Sequence, residues 1–124
     1  MFHDVKALWV DALRSGEYFQ AIGKLRRDQG DLICHCALGV LADLAIKTGG
    51  VGEWRREDGY DSWVHEVETA DEYGTYWMPM YSVPPTQVLE WAGTKYEAVE
   101  GVITLNDAEG KSFNEIADYI EKNL

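Results

Sequence analysis

Cys36-Ala37-Leu38-Gly39-Val40-Leu41-Ala42-Asp43-Leu44-Ala45-Ile46 is apolar on nearly every side and halts at Gly49-Gly50. A helix that is hydrophobic all round is a buried one, so this segment is the centre around which the other elements must pack. On its N-terminal side, Phe2, Val5, Leu8, Trp9, Ala12 and Leu13 follow the i, i+3, i+4, i+7 rule of an amphipathic helix. Gly16 stands where a C-cap belongs. Residues 17–30 are mixed, and Leu32-Ile33-Cys34 reads as a short strand.

Beyond the central helix, residues 53–82 read as irregular and strand-like, with Trp63, His65 and Val67 alternating against Val64, Glu66 and Glu68. Val83-Pro84-Pro85-Thr86 is a helix entry, because proline suits the first helical position. Val88, Leu89 and Ala92 then face the core before Gly93. The β-branched run Val102-Ile103-Thr104-Leu105 predicts a strand, followed by turn residues Asn106-Asp107. Ser112-Phe113-Asn114-Glu115 matches a capping box for a last helix, whose apolar face is Ile116, Ala117, Tyr119 and Ile120. No repeat, low-complexity tract or linker interrupts the chain. The pattern predicts one α+β domain over residues 1–124, with about four helices packed around a small sheet.

Charge is distributed unevenly. Residues 53–109 carry 13 acids against Arg55, Arg56 and Lys95, a net of −10, while the remainder is −1. Seven of the 15 aromatics fall between Trp54 and Tyr81. Aromatics anchor interfaces and charge steers encounter, so this region is the candidate partner-binding surface. Its members are Trp54, Tyr60, Trp63, Glu66, Glu68, Tyr73, Tyr76 and Trp77. On a strand, Glu66 and Glu68 would lie about 6.8 Å apart, near two phosphate steps of a DNA strand.

A pI near 4.5 disfavours direct contact with nucleic acid or anionic lipid, so the expected partner is a protein with a basic surface. The N-terminus has no basic and apolar leader, and no apolar run approaches the roughly 20 residues of a membrane span. Cys34 and Cys36 are too close in sequence for an unstrained bridge, which fits a reducing cytoplasm.

Three patterns bear on chemistry. Cys36 lies where strand gives way to helix, a position that lowers a thiol pKa. With His65 as base and Asn106 or Asp107 as orienter, it would complete a cysteine hydrolase or transferase. The competing reading is a packed, inert thiol. Lys24, Arg26 and Arg27 form the one basic cluster, able to meet the phosphate of a nucleotide-like ligand whose base stacks on an aromatic. For metals, Cys34-His35-Cys36 lacks zinc-knuckle spacing, alternation sets His65 opposite Glu66 and Glu68, and Asp107-Ala108-Glu109-Gly110 lacks the terminal glutamate of a calcium loop. No Walker, Rossmann or G-x-S-x-G pattern is present. Neither a metal nor a cofactor is expected, and a binding protein is favoured over an enzyme.

Taken together, several blocks resemble a group of uncharacterised accessory proteins of tailed bacteriophages. They are Ala12-Leu13-Arg14-Ser15-Gly16-Glu17-Tyr18 with Gln20, then Cys36-Ala37-Leu38-Gly39-Val40-Leu41-Ala42-Asp43, then Val83-Pro84-Pro85 with Val88 and Glu90-Trp91-Ala92-Gly93. Leu105-Asn106-Asp107 and Ser112-Phe113-Asn114-Glu115-Ile116-Ala117-Asp118-Tyr119-Ile120-Glu121 complete the set. Residues 50–80 lie outside the likeness. Members of the group often read Cys-Cys before Leu-Gly, whereas Ala37 precedes Leu38 here, which weakens any mechanism of two adjacent thiols. The resemblance implies a phage or prophage accessory protein working in the bacterial cytoplasm; with the acidic–aromatic surface and no complete catalytic set, the expectation is a non-enzymatic binder of a host factor such as one of defence. The resemblance carries no catalytic residues.

Overall fold

The computed structural model describes residues 1–57, 59–68, 75–82 and 84–124. Among the described residues, five α-helices and two three-stranded sheets form the α+β domain, one helix and one sheet beyond the sequence pattern. In chain order they are α1 (His3–Arg14), β1 (Phe19–Gln20), β2 (Arg26–Gln29), β3 (Leu32–His35), α2 (Ala37–Gly49), β4 (Glu53–Glu57), β5 (Tyr60–Glu68), β6 (Thr75–Met80), α3 (Thr86–Ala92), α4 (Tyr96–Ile103) and α5 (Phe113–Asn123).

Helix α2 is the predicted centre. Every residue from Ala37 to Ala45 is buried. Gly39 sits where α2 crosses the chain at Leu25, and a Cβ there would fall 1.7 Å from the Leu25 carbonyl oxygen. Only glycine permits that approach. Around α2 pack Trp9 and Val10 of α1, Val88 of α3, Val99 and Val102 of α4, and Ile116 and Ile120 of α5. The indole Nε1 of Trp9 donates to the Ala37 carbonyl at 3.0 Å, so the largest core side chain also satisfies its polar atom. Helices α1 and α5 are clamped at the surface by Arg14, which donates to Asp118 and Glu121.

The first sheet has the order β1-β3-β2, with β1 parallel and β2 antiparallel to β3. The second is the antiparallel meander β4-β5-β6. Their edges meet where β2 approaches β5. There an alternating chain of charges runs from Arg26 through Asp61 and Arg56 to Asp28. Trp63 of β5 lies flush against Gly52 and is fully buried, which seats the second sheet on the core.

Two expectations change. Val102–Leu105 is not a strand: it is the end of α4 and the start of a π turn over Thr104–Ala108. Val99, Val102 and Asn106 are buried at helical spacings of three and four, and that period overrides the local β-branched propensity. Pro85 is the N-cap of α3, so its first turn begins one residue later than proline preference suggests. The Ser112–Glu115 capping box of α5 is formed as read from the sequence. Among the described residues, no helix is long and apolar enough to cross a membrane.

Candidate functional site

An acid stands inside the most apolar helix. The Asp43 carboxylate accepts from the Tyr18 hydroxyl at 2.5 Å, from Trp54 Nε1 at 2.9 Å and from Lys47 Nζ at 2.8 Å. Burial alone would raise its pKa, but Lys47, Tyr18 and Trp54 together hold it below the usual carboxylate value. Burial, reinforced by the Asp43 charge, pushes the Tyr18 phenol up. Asp43 is thus a fixed anion that draws α2, the chain after α1 and β4 together.

Beside this triad lies His35, the last residue of β3. Tyr18 and Trp54 meet its ring edge-on, with centroids 5.3 and 5.7 Å away. The residue is 7% exposed, and among the described residues neither ring nitrogen has a hydrogen-bond partner. Burial lowers its pKa to about 4, so the imidazole is neutral at physiological pH. A cleft of about 530 Å³ opens over His35 and Asp43. Phe19, Leu32, Glu17 and Asp31 form its exposed rim. The combination of a partly apolar rim with convergent polar groups is typical of a ligand cleft.

Arg26 forms the wall between this cleft and a second, smaller one. Its guanidinium carbon lies 5.3 Å from the centroid of the Trp54 ring, a cation–π arrangement. Its Nε is 3.5 Å from Asp61 Oδ2, close enough for an ion pair but too long for a good hydrogen bond. Asp61 is held chiefly by Arg56, at 2.7 and 3.2 Å. On the far side of Arg26, a recess of about 210 Å³ is lined by Lys24, Arg27, Tyr60, Asp61 and Tyr81. A backbone bond from Leu25 N to Tyr81 O, 2.9 Å long, ties its two walls together. The predicted basic cluster and one predicted aromatic, Tyr60, therefore share a surface.

Three of the four proposed catalytic residues, Cys36, Asn106 and Asp107, have structural partners. Cys36 is the N-cap of α2, its sulfur accepting from Gly39 N at 3.3 Å. Burial pushes its thiol up to about 11, the opposite of an activated nucleophile. Asn106 is buried and fully engaged: Oδ1 accepts from Gln20 Nε2 and Ala37 N, while Nδ2 donates to Ala21 O and Asp107 Oδ1. Asp107 also accepts from Gly23 N at 2.9 Å. The pair anchors residues 20–23 to the π turn. His65 lies on β5 opposite Met78, and its side chain is outside the described residues.

The partner-binding candidates separate likewise. Trp63 is fully buried and Trp54 is half-buried against Asp43 and Arg26, so both serve the core. Tyr60 is 63% exposed. Strand register sets Glu66 opposite Trp77, Glu68 opposite Thr75 and Val67 opposite Tyr76, with those side chains outside the described residues, as is Tyr73 altogether. Sequence reasoning gave no site role to Tyr18, Asp43 or Lys47. The available signal was Asp43 itself, a carboxylate in a run that must be buried and must therefore have partners. Among the described residues, no group of three or more His, Cys, Asp or Glu converges as a metal site.

Fold and site define a single α+β domain with two adjoining clefts and with Cys36, Asn106 and Asp107 committed to its structure. The chain matches, over residues 1–124, the family described as a domain of unknown function (DUF8296), and it belongs to that family. No curated protein and no solved structure matches it.

Proposed function

We propose that this protein is a non-enzymatic binding protein, an accessory factor of tailed phages that docks on a basic surface of a host protein, such as a component of defence, in the bacterial cytoplasm. The observation that carries this reading is unneutralised acid. Glu90, Glu97, Glu100 and Glu109 are exposed and have no ion-pair partner among the described residues. Within the same half of the chain, Arg55 and Arg56 already pair with Glu53, Asp61 and Asp28. The exposed Tyr96 adjoins Glu97 in the chain and supplies an aromatic anchor beside that charge. The sequence blocks shared with phage proteins support the biological setting, and the structural duties of Cys36, Asn106 and Asp107 support binding over catalysis.

The test is affinity capture from a bacterial lysate, followed by titration of the retained protein. A single stoichiometric partner, released as salt is raised, is expected. Replacing Glu66 and Glu68 on β5 by lysine should weaken it roughly tenfold or more, because like charges then face each other. Unchanged affinity in that variant, or a complex indifferent to salt, would remove the acidic face from the reading.

A further inference from the structure

We propose that the recess between Lys24, Arg26 and Arg27 and the tyrosines Tyr60 and Tyr81 binds the phosphate of a mononucleotide, with the base laid against a tyrosine ring. This site shares Tyr60 with the expected partner-binding surface but takes its charged groups from Lys24, Arg26 and Arg27.

Charge makes the first argument. The protein has twice as many acids as bases. Even so, Lys24 and Arg27 stand together with no ion-pair partner among the described residues; Lys6, Lys95 and Lys122 also lack one but lie apart from any other base in the sequence. The terminal amines of Arg26 are likewise without a hydrogen-bond partner among the described residues, while its plane is fixed by Trp54 and Asp61. Among the described residues that line the recess, Lys24, Arg26 and Arg27 face Asp28 and Asp61, and both acids are already paired with Arg56. The lining is thus net positive by one charge, the sign that attracts a phosphate monoester, which carries about −1.5 to −2 at neutral pH. A guanidinium held in one plane is pre-organised for forked bonding to phosphate oxygens.

Shape and surface make the second. Tyr60 and Tyr81, 63% and 42% exposed, border the cationic patch. Large aromatics left in water beside an anion-ready cluster offer a stacking platform for a planar base. A recess of about 210 Å³ is smaller than a drug-sized cavity. It takes the phosphate end while the base lies across the mouth. The overall charge of −11 repels a polyanion, which selects a single nucleotide over a nucleic-acid strand.

Calorimetric titration of the full chain tests the assignment. The probes are adenosine and guanosine 5′-monophosphate, the two nucleosides, inorganic phosphate and a ten-residue thymidine oligonucleotide. At least one nucleotide should bind tenfold or more tightly than its nucleoside and than phosphate. Joint replacement Lys24→Ala and Arg27→Ala should weaken it at least tenfold with the melting temperature of the free protein retained. Tyr60→Ala or Tyr81→Ala should weaken the nucleotide and leave phosphate unchanged. The proposal is overturned if neither nucleotide binds at millimolar concentration, if binding survives the double replacement, or if phosphate alone binds as well as the nucleotides. Tighter binding of the oligonucleotide than of any mononucleotide would overturn it in favour of a strand-binding groove. The variant with Glu66 and Glu68 reversed should keep nucleotide affinity, so this site and the acidic face can fail separately.

Discussion

Asp43 and His35 show two ways of keeping a titratable side chain in an interior. Asp43 remains charged because three donors surround it, whereas His35 remains neutral because it is buried and, among the described residues, no acceptor meets its ring nitrogens. For His35, burial is the main cause of its low pKa, with Asp43 and Asp61 opposing and Arg26 and Lys47 assisting. Its folded value of about 4 lies below the ordinary 6.5. Between these values the unfolded chain takes up a proton that the folded chain refuses, so stability falls as pH drops from 6.5 to 4. The total is on the order of 3 kcal/mol. Above pH 6.5 the contribution is complete. Denaturant titrations across that window should show the slope in the native protein and a flatter profile in His35→Phe. Equal profiles would mean that the ring is hydrated in the folded state. Asp43, whose pKa is depressed, adds its own loss only at lower pH, below its ordinary value of 3.8.

At the scale of elements, the helices carry their own periods and were legible, as α1, α2 and α5 demonstrate. The capping box of α5 was equally plain, because its two bonds are local. Val102–Leu105 misled because a four-residue β-branched run is shorter than the helix that contains it. The period becomes visible only when Tyr96 and Val99 are read with Val102 and Asn106. Strand character in residues 53–57, 60–68 and 75–80 was legible, but pairing was not, since register depends on which partner covers each face. Helix α2 supplies the sharpest test. Gly39→Ala drives a methyl group into the Leu25 backbone, which no rotamer change relieves. The expected loss is about 3 kcal/mol or more, read as the shift of a urea midpoint. An unaltered midpoint would mean that α2 can move off residue 25 at no cost.

The whole molecule is an acidic body with a small positive island. Exposed ion pairs contribute little each, about 0–1 kcal/mol, whereas a net charge of −11 acts on every acid at once. Raising ionic strength from about 0.05 to about 0.5 M shortens the screening length severalfold. The melting temperature should therefore rise; a fall would show that the pairs joining α1 to α5 and β2 to β5 dominate. Little of either cleft was legible in sequence, because Tyr18, Arg26, His35, Asp43 and Trp54 come from five separate segments and meet only in the fold. Lys24, Arg26 and Arg27 were visible as a cluster because they are neighbours along the chain. Their placement is decided far away: Gln20, Ala21 and Gly23 are bonded to Asn106, Asp107 and Lys111. On a ribosome, which releases the chain from its N-terminus, the segment leading into Lys24 is made early but waits for residues 106–111 to emerge before it has anything to hold. The positive island is thus among the last features to mature, and a nascent chain cut short before Asn106 would have the basic residues without the site.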